Sequence, residues 1–149
     1  MTAKGLYFDD FAPGQKYDTD KRTITETDLV NFITSFGFFE PLFMDETYLT
    51  ESTSYEGRLV PGAMTFAVAE GLTILSGIIH GTGVAFLGTE MTVLRPVVVG
   101  DTISVDIEVV EKRETKNPER GIVTFLQRVS NQHGLGVMEY TVQRMIRRH

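Results

Sequence analysis

The chain has 149 residues, of which 42% are hydrophobic and 23% are charged, and its formal net charge is −6. This composition is typical of a globular protein, and we expect a single domain over residues 1–149. The negative charge argues against a nucleic-acid partner, which requires clustered lysine and arginine. The chain contains no cysteine, which excludes disulfides, thiolate nucleophiles and zinc–thiolate sites.

The sequence also gives no sign of a membrane partner, a metal site or a cofactor. The N-terminal residues lack the apolar core of a signal peptide. The longest apolar stretch is interrupted by Pro61, Glu70 and several glycines, so it is a poor membrane span. We therefore expect a cytoplasmic protein. The basic run at 144–149 is interpreted as a solvated tail.

The first half of the chain predicts short elements. A turn is expected at 11–14 and a first strand at 15–23. Thr25 to Asp28 resembles a capping box, which predicts a helix that ends near Gly37. Asp45 or Glu46 is expected to open a shorter helix, followed by a loop.

The central prediction is a helix over 61–79 that is apolar on nearly every side. Such a helix must be surrounded by protein. Glu70 is the only formally charged residue between Arg58 and Glu90. A buried carboxylate is costly unless it is paired, protonated or functional.

Four strands are predicted after this helix, at 84–97, 102–111, 120–130 and 136–147. Alternation of apolar and polar residues indicates a sheet with one buried face and one wet face. A long buried helix followed by an antiparallel meander predicts an α+β fold in which the sheet curves around the helix.

Four segments, in this order along the chain, resemble motifs of the MaoC-like, R-specific enoyl-CoA hydratase family. They are FDDFAPG (8–14), GRLVPG (57–62), LRPVVVGDT (94–102) and SNQHG (130–134). The resemblance implies a hotdog fold and acyl-CoA or acyl-carrier thioester ligands, with hydratase or dehydratase (lyase) activity. It also implies a dimer, either of identical chains or with a related hotdog chain.

The segment FGFFEPLFMD (36–45) falls where the family carries GDxNPxHxD. The resemblance places the catalytic Asp at Phe38 and the catalytic His at Phe43. Phenyl rings can neither accept nor donate a proton, so the usual hydration mechanism is not expected. The phenylalanines are interpreted as lining or plugging an acyl pocket. The expected substrate-binding residues are Gly62, Phe38, Phe39, Glu40, Phe43 and Asp45.

Glu70 is the candidate catalytic residue. It lies eight positions after Gly62, the offset at which related hotdog thioesterases carry a catalytic carboxylate. Eight helical residues rise about 12 Å, so the two residues could share a substrate only across two antiparallel helices of a dimer. The Gly62 amide would bind the thioester oxygen. Alternatively, Glu70 pairs with Arg58, Arg95 or a backbone amide and is structural.

Three functions stay open. The chain could be a MaoC-like enzyme whose chemistry has moved to Glu70 or Glu40, an acyl-CoA thioesterase that uses Glu70, or a non-catalytic subunit that binds the acyl chain beside a hydratase-competent relative. His80 is expected to be an exposed helix cap. Arg95 is expected to brace the sheet rather than to bind a phosphate.

Overall fold

The structure, a computed structural model, describes residues 5–149. It confirms the predicted α+β class. The helices are α1 (Glu26–Phe36), α2 (Pro41–Met44), α3 (Glu46–Ser52) and α4 (Gly62–Leu75), preceded by a 3₁₀ turn at Phe8–Asp10. The strands are β1 (Lys16–Asp18), β2 (Arg22–Thr23), β3 (Gly83–Val93), β4 (Thr102–Glu114), β5 (Arg120–Ser130) and β6 (Gly136–Arg147).

All strand pairs are antiparallel, and the sheet order is β1-β4-β5-β6-β3, with β2 also paired to β4. The buried face of α4 and the inward residues of β4, β5 and β6 form one hydrophobic core. Phe125 and Val142 are fully buried at its centre. The first strand predicted at 15–23 is divided into β1 and β2.

The capping box predicted for α1 is present. The Asp28 amide donates to Thr25 Oγ1 over 3.1 Å, and the Thr25 amide donates to Asp28 Oδ2 over 2.9 Å. The helix ends at Gly37, whose φ of 75° is left-handed and therefore suits glycine. Local sequence chemistry fixes both ends of α1.

Helix α4 begins where the sequence predicts but ends at Leu75 rather than at Ile79. Gly77 follows with a φ of 82°, which an α-helix does not accommodate. The expectation that α4 is enclosed on all sides is wrong for the single chain, because Ile74 and Leu75 are 63% and 68% exposed. One apolar stripe of the helix is left uncovered.

Strand β3 extends this uncovered surface. It pairs only with β6, so its other edge is open, and ten of its eleven residues are exposed. Its large apolar side chains include Phe86, Leu87 and Met91. Proteins rarely leave an open strand edge, such as that of β3, or an exposed apolar stripe, such as that of α4, facing water.

The basic C-terminus is not a free tail. Arg144 lies within β6 and is 6% exposed. Arg148 pairs with Asp9 and Glu114 at 3.0 Å each. No helix within residues 5–149 is long and apolar enough to span a membrane.

Candidate functional site

A pocket of about 280 Å³ lies at the N-terminal tip of α4. Pro61 precedes the helix in an extended conformation, and no side chain caps the helix there. The pocket is lined mainly by apolar groups: Phe43, Tyr55, residues 59–62, Thr65, residues 93–97, Val137 and Met138. We call it the tip pocket.

The tip of α4 offers free hydrogen-bond donors to this pocket. The amides of Met64 and Thr65 donate to the Pro61 carbonyl oxygen. Within the part of the chain that the structure describes, no acceptor is found for the amides of Gly62 and Ala63. Free amides at the positive end of a helix dipole favour an anionic or strongly polarised oxygen.

Phe43 lies between the tip pocket and a half-buried aromatic cluster that packs against the core. Its ring lies 6.2 Å from that of Phe38, and Phe38 lies 5.0 Å from Phe32. Phe43 also lines the tip pocket, whereas Phe38 lines only a shallow depression outside it. Of the two aromatic residues that the sequence resemblance aligns with proton carriers, Phe43 therefore contacts the space at the helix tip.

Arg58 holds the Phe43 segment in place. Its Nη2 donates to the Phe43 carbonyl oxygen over 3.3 Å, and its Nη1 lies 2.7 Å from Glu26 Oε1. The Arg58 carbonyl oxygen accepts from the Val99 amide, in the segment that leads into α4. Arg58 thus links α1, the α2 segment and the entry to α4.

The structure brings only part of the predicted site together. Gly62 and Phe43 line the tip pocket, whereas Phe39 and Glu40 lie with Phe38 in the outer depression. Asp45 lies in neither. Its Oδ1 accepts from the amides of Thr47 and Tyr48 and caps α3, which confirms the predicted helix start.

Glu70 is not at the helix tip but in a buried polar network. Arg144 donates from Nη1 to Oε1 over 2.8 Å and from Nη2 to Oε2 over 2.7 Å, and the Tyr140 hydroxyl donates to Oε2 over 2.8 Å. The structural alternative proposed Arg58 or Arg95 as the partner of Glu70. The structure shows Arg144 instead. Three of roughly four acceptor positions on the carboxylate are occupied.

Gln127 completes the network. Its Nε2 donates to the Tyr140 hydroxyl and to Thr73 Oγ1, and its Oε1 accepts from Arg144. Gln127 and Thr73 are fully buried. Burial, followed by the nearby charge of Glu70, raises the pKa of Tyr140 far above its usual range, so Tyr140 stays a neutral donor.

A second pocket of about 400 Å³ lies beside this network, near the C-terminal end of α4. Glu70, His80 and Arg144 line it together with apolar residues of β3. His80 does not cap α4, whose last residue is Leu75 and whose C-cap is Ser76, but lies in the turn that follows. Among residues 5–149 no cluster of three or more potential metal ligands is found.

Sequence reasoning missed the partners of Glu70, although a signal was present. Gln127 lies between Phe125 and Val129 at inward positions of β5, and Arg144 lies between Val142 and Ile146 at inward positions of β6. A polar residue in the inward register of an alternating strand marks a buried polar group. Tyr55, in a loop, gave no such signal for its place in the tip pocket.

A sheet packed on one central helix, with a pocket at the helix tip, defines a class of small α+β folds found among known proteins. The chain matches the family model described as "MaoC like domain" over residues 10–130. The chain therefore belongs to the MaoC-like family. Tyr55, Gly62 and Arg95 all lie within the matched region.

Two characterised relatives support the assignment. The (R)-specific enoyl-CoA hydratase of Aeromonas caviae is 30% identical over 81% of this chain and 84% of its own. Protein MaoC of Klebsiella aerogenes is 35% identical over 76% of this chain, but the match spans only 33% of that longer protein.

Solved structures agree on the fold. A protein of Archaeoglobus, described as a monoamine oxidase regulatory protein, is 30% identical and superposes with a TM-score of 0.90 over 100% of this chain and 99% of its own. A Mycobacterium tuberculosis protein described as a double hotdog fold gives a TM-score of 0.87 at 22% identity, covering 97% of this chain and 45% of its own. The predicted hotdog fold is confirmed.

Proposed function

We propose that this chain binds acyl thioesters in the tip pocket, with the thioester oxygen on the backbone amide of Gly62. The free amides at the start of α4 are the observation that carries this proposal. A polarised carbonyl oxygen suits preorganised N–H donors at a helix N-terminus. The apolar walls suit the acyl chain.

The bound acyl group is not hydrated by the family's usual acid–base pair. Phe38 and Phe43 stand at the positions that the family resemblance assigns to Asp and His. Within the described chain, the lining of the tip pocket includes no aspartate, glutamate or histidine. A general acid or base must lie within hydrogen-bond reach of the proton that it moves. The chain thus acts as an acyl-binding member of a hydratase-like family.

The chain functions as a dimer in this proposal. Exposed apolar side chains of α4 and β3 lie near one another, since Ile74 lines one pocket together with Val84 and Phe86. Two antiparallel copies of an edge strand can pair about a two-fold axis, and the same axis places two α4 helices side by side. The partner is a second copy or a related hotdog chain that supplies the missing acid–base pair.

Thioester hydrolysis by Glu70 is the second candidate. One observation favours it: Glu70 and His80 line the same pocket, which an antiparallel dimer would bring near the partner's helix tip. The three hydrogen bonds that Glu70 already accepts oppose it. Release of free thiol from butyryl-CoA would support this candidate, and we expect none.

A pair of substitutions at Gly62 tests the main proposal. Gly62→Pro removes the N–H at the first position of α4, where proline is tolerated, and the extended Pro61 suits a following proline. Gly62→Ala keeps the N–H and adds a methyl group at ordinary contact distance, 3.4 Å from Val93 Cγ2. We expect butyryl-CoA binding, measured by calorimetry, to be about ten-fold weaker in G62P than in G62A. Equal affinities would contradict the proposed contact.

A further inference from the structure

Arg95 is the only formally charged residue that lines the tip pocket within the described chain. It is exposed at the end of the segment that leaves β3. Its Nη1 donates to the Gly136 carbonyl oxygen over 2.7 Å. This hydrogen bond confirms that Arg95 braces the sheet, as the sequence predicted. It uses one of the five N–H donors of the guanidinium group.

The remaining N–H donors of Arg95 lie at the pocket. The bond to Gly136 anchors one side of the planar group, and its backbone amide donates to the Val137 carbonyl oxygen. Among residues 5–149, no other hydrogen bond from the Arg95 side chain is found. An anchored guanidinium with free N–H groups is well suited to a phosphate, which it can bind with two parallel bonds.

The size and charge of the site indicate where a phosphate would lie. The pocket of about 280 Å³ is at the lower end of the range for ligand sites, roughly 300 to 1,000 Å³. It holds an acyl group and the thioester but not a complete carrier, so the carrier must lie outside. The chain has a net charge of −6, so an anionic carrier is repelled unless a local cation attracts it.

We infer that Arg95 binds a phosphate of the thioester's carrier, so that this site selects phosphate-bearing carriers over the bare thioester. The inference rests on the proposed function of the tip pocket. The sequence predicted that Arg95 braces the sheet rather than binds a phosphate. The structure allows both roles, because bracing the sheet and binding an anion use different N–H groups of the same side chain.

The test compares two ligands with the same acyl group. Butyryl-CoA carries phosphates, and S-butyryl-N-acetylcysteamine has the same thioester and part of the same arm without them. Arg95→Gln removes the cation. Arg147→Gln is the control, because it makes the same change in net charge at an exposed position. Arg147 ends β6, about 36 Å along the strand from Gly136.

We expect Arg95→Gln to weaken butyryl-CoA about ten-fold and to leave the N-acetylcysteamine thioester within about two-fold of the unsubstituted protein. Arg147→Gln should leave both affinities unchanged, and Arg95→Lys should retain part of the preference. The butyryl thioester of phosphopantetheine, which has one phosphate, shows which phosphate Arg95 contacts. If Arg95→Gln weakens the binding of this ligand as much as that of butyryl-CoA, Arg95 contacts the phosphate next to the pantetheine arm. If Arg95→Gln leaves the binding of this ligand unchanged, Arg95 contacts a phosphate in the nucleotide part.

Equal losses for both ligands would overturn the assignment and leave Arg95 only as a brace. An unchanged affinity for butyryl-CoA in Arg95→Gln would overturn it as well. Failure of the unsubstituted protein to bind either ligand would instead overturn the proposed function. The two failures are therefore distinguishable in one set of titrations.

Discussion

The carboxylate of Glu70 and the guanidinium of Arg144 form a two-point ion pair between α4 and β6, with N–O distances of 2.8 and 2.7 Å. The side chains are 16% and 7% exposed. Burying two charges is costly, and a complete pair of this kind is often no more stabilising than apolar residues of equal volume. Removing one partner is different, because it leaves the other charge buried alone.

Glu70→Gln should therefore lower the free energy of unfolding by about 3 to 5 kcal/mol. Urea unfolding followed by circular dichroism measures this change. The control is Glu108→Gln, since Glu108 pairs loosely with the exposed Lys16 at 3.8 Å. We expect little change in the control. A similar small change for Glu70→Gln would show that the network does not stabilise the fold.

Tyr140 should make the free energy of unfolding depend on pH in alkaline solution. Burial raises the pKa of Tyr140 above the value of about 10 for an exposed tyrosine. Above that pH the unfolded chain loses the hydroxyl proton while the folded chain keeps it, so the contribution of Tyr140 is complete below about pH 10 and declines as the pH rises.

Unfolding measured at several pH values around 10 should show this decline, and Tyr140→Phe should remove most of it. Tyr17 is a suitable comparison, because partial burial also raises its pKa. Tyr17→Phe should leave most of the decline in place. If the pH dependence is the same in Tyr140→Phe as in the unsubstituted protein, Tyr140 is not held neutral by its surroundings.

Arg58 should control the order of the segment that carries Phe43. Arg58→Gln removes the contacts to the Phe43 carbonyl oxygen and to Glu26. We expect a loss of about 1 to 2 kcal/mol in stability and faster amide hydrogen exchange over 41–45. Arg22→Gln, which breaks the exposed pair with Asp28 on the same helix α1, should not change exchange in this segment. Equal exchange in both variants would show that Arg58 does not hold Phe43.

The exposed stripe of α4 should mediate dimerisation. Ile74→Glu places a charge on a side chain that is 63% exposed in the single chain. We expect the unsubstituted protein to sediment as a dimer and this variant as a monomer, because a charge buried without a partner opposes association. Val30→Glu on α1 changes an apolar residue that is 40% exposed, away from this stripe, and should sediment as the unsubstituted protein does. A monomeric unsubstituted protein would contradict the proposed dimer.

The sequence predicted the elements that depend on neighbouring residues. The start and end of α1 follow from Thr25, Asp28 and Gly37, and the start of α4 follows from Pro61. The end of α4 was placed one turn too late, because apolar residues continue past the glycine whose left-handed backbone ends the helix. Apolar character by itself shows neither where a helix ends nor that its residues are buried in the single chain, since Ile74 and Leu75 are exposed.

The candidate site was only partly predictable for a different reason. Gly62 and Phe43 are close to sequence motifs, and both line the tip pocket. The partner of Glu70 is 74 residues further along the chain. Only the register of β6 against β5 brings Arg144 under α4, and no local pattern encodes that distance. The predicted catalytic role of Glu70 remains untested, and its hydrogen bonds favour a structural one.

One measurement tests the central claim most directly: crotonyl-CoA is titrated into the purified chain, and binding heat and loss of the enoyl absorbance are followed on the same sample. With aromatic rings at 38 and 43, we predict saturable binding that Gly62→Pro weakens, with no water addition above the rate in buffer. Saturable hydration by the chain alone, abolished by Gly62→Pro, would show that the tip pocket contains a working acid–base pair after all.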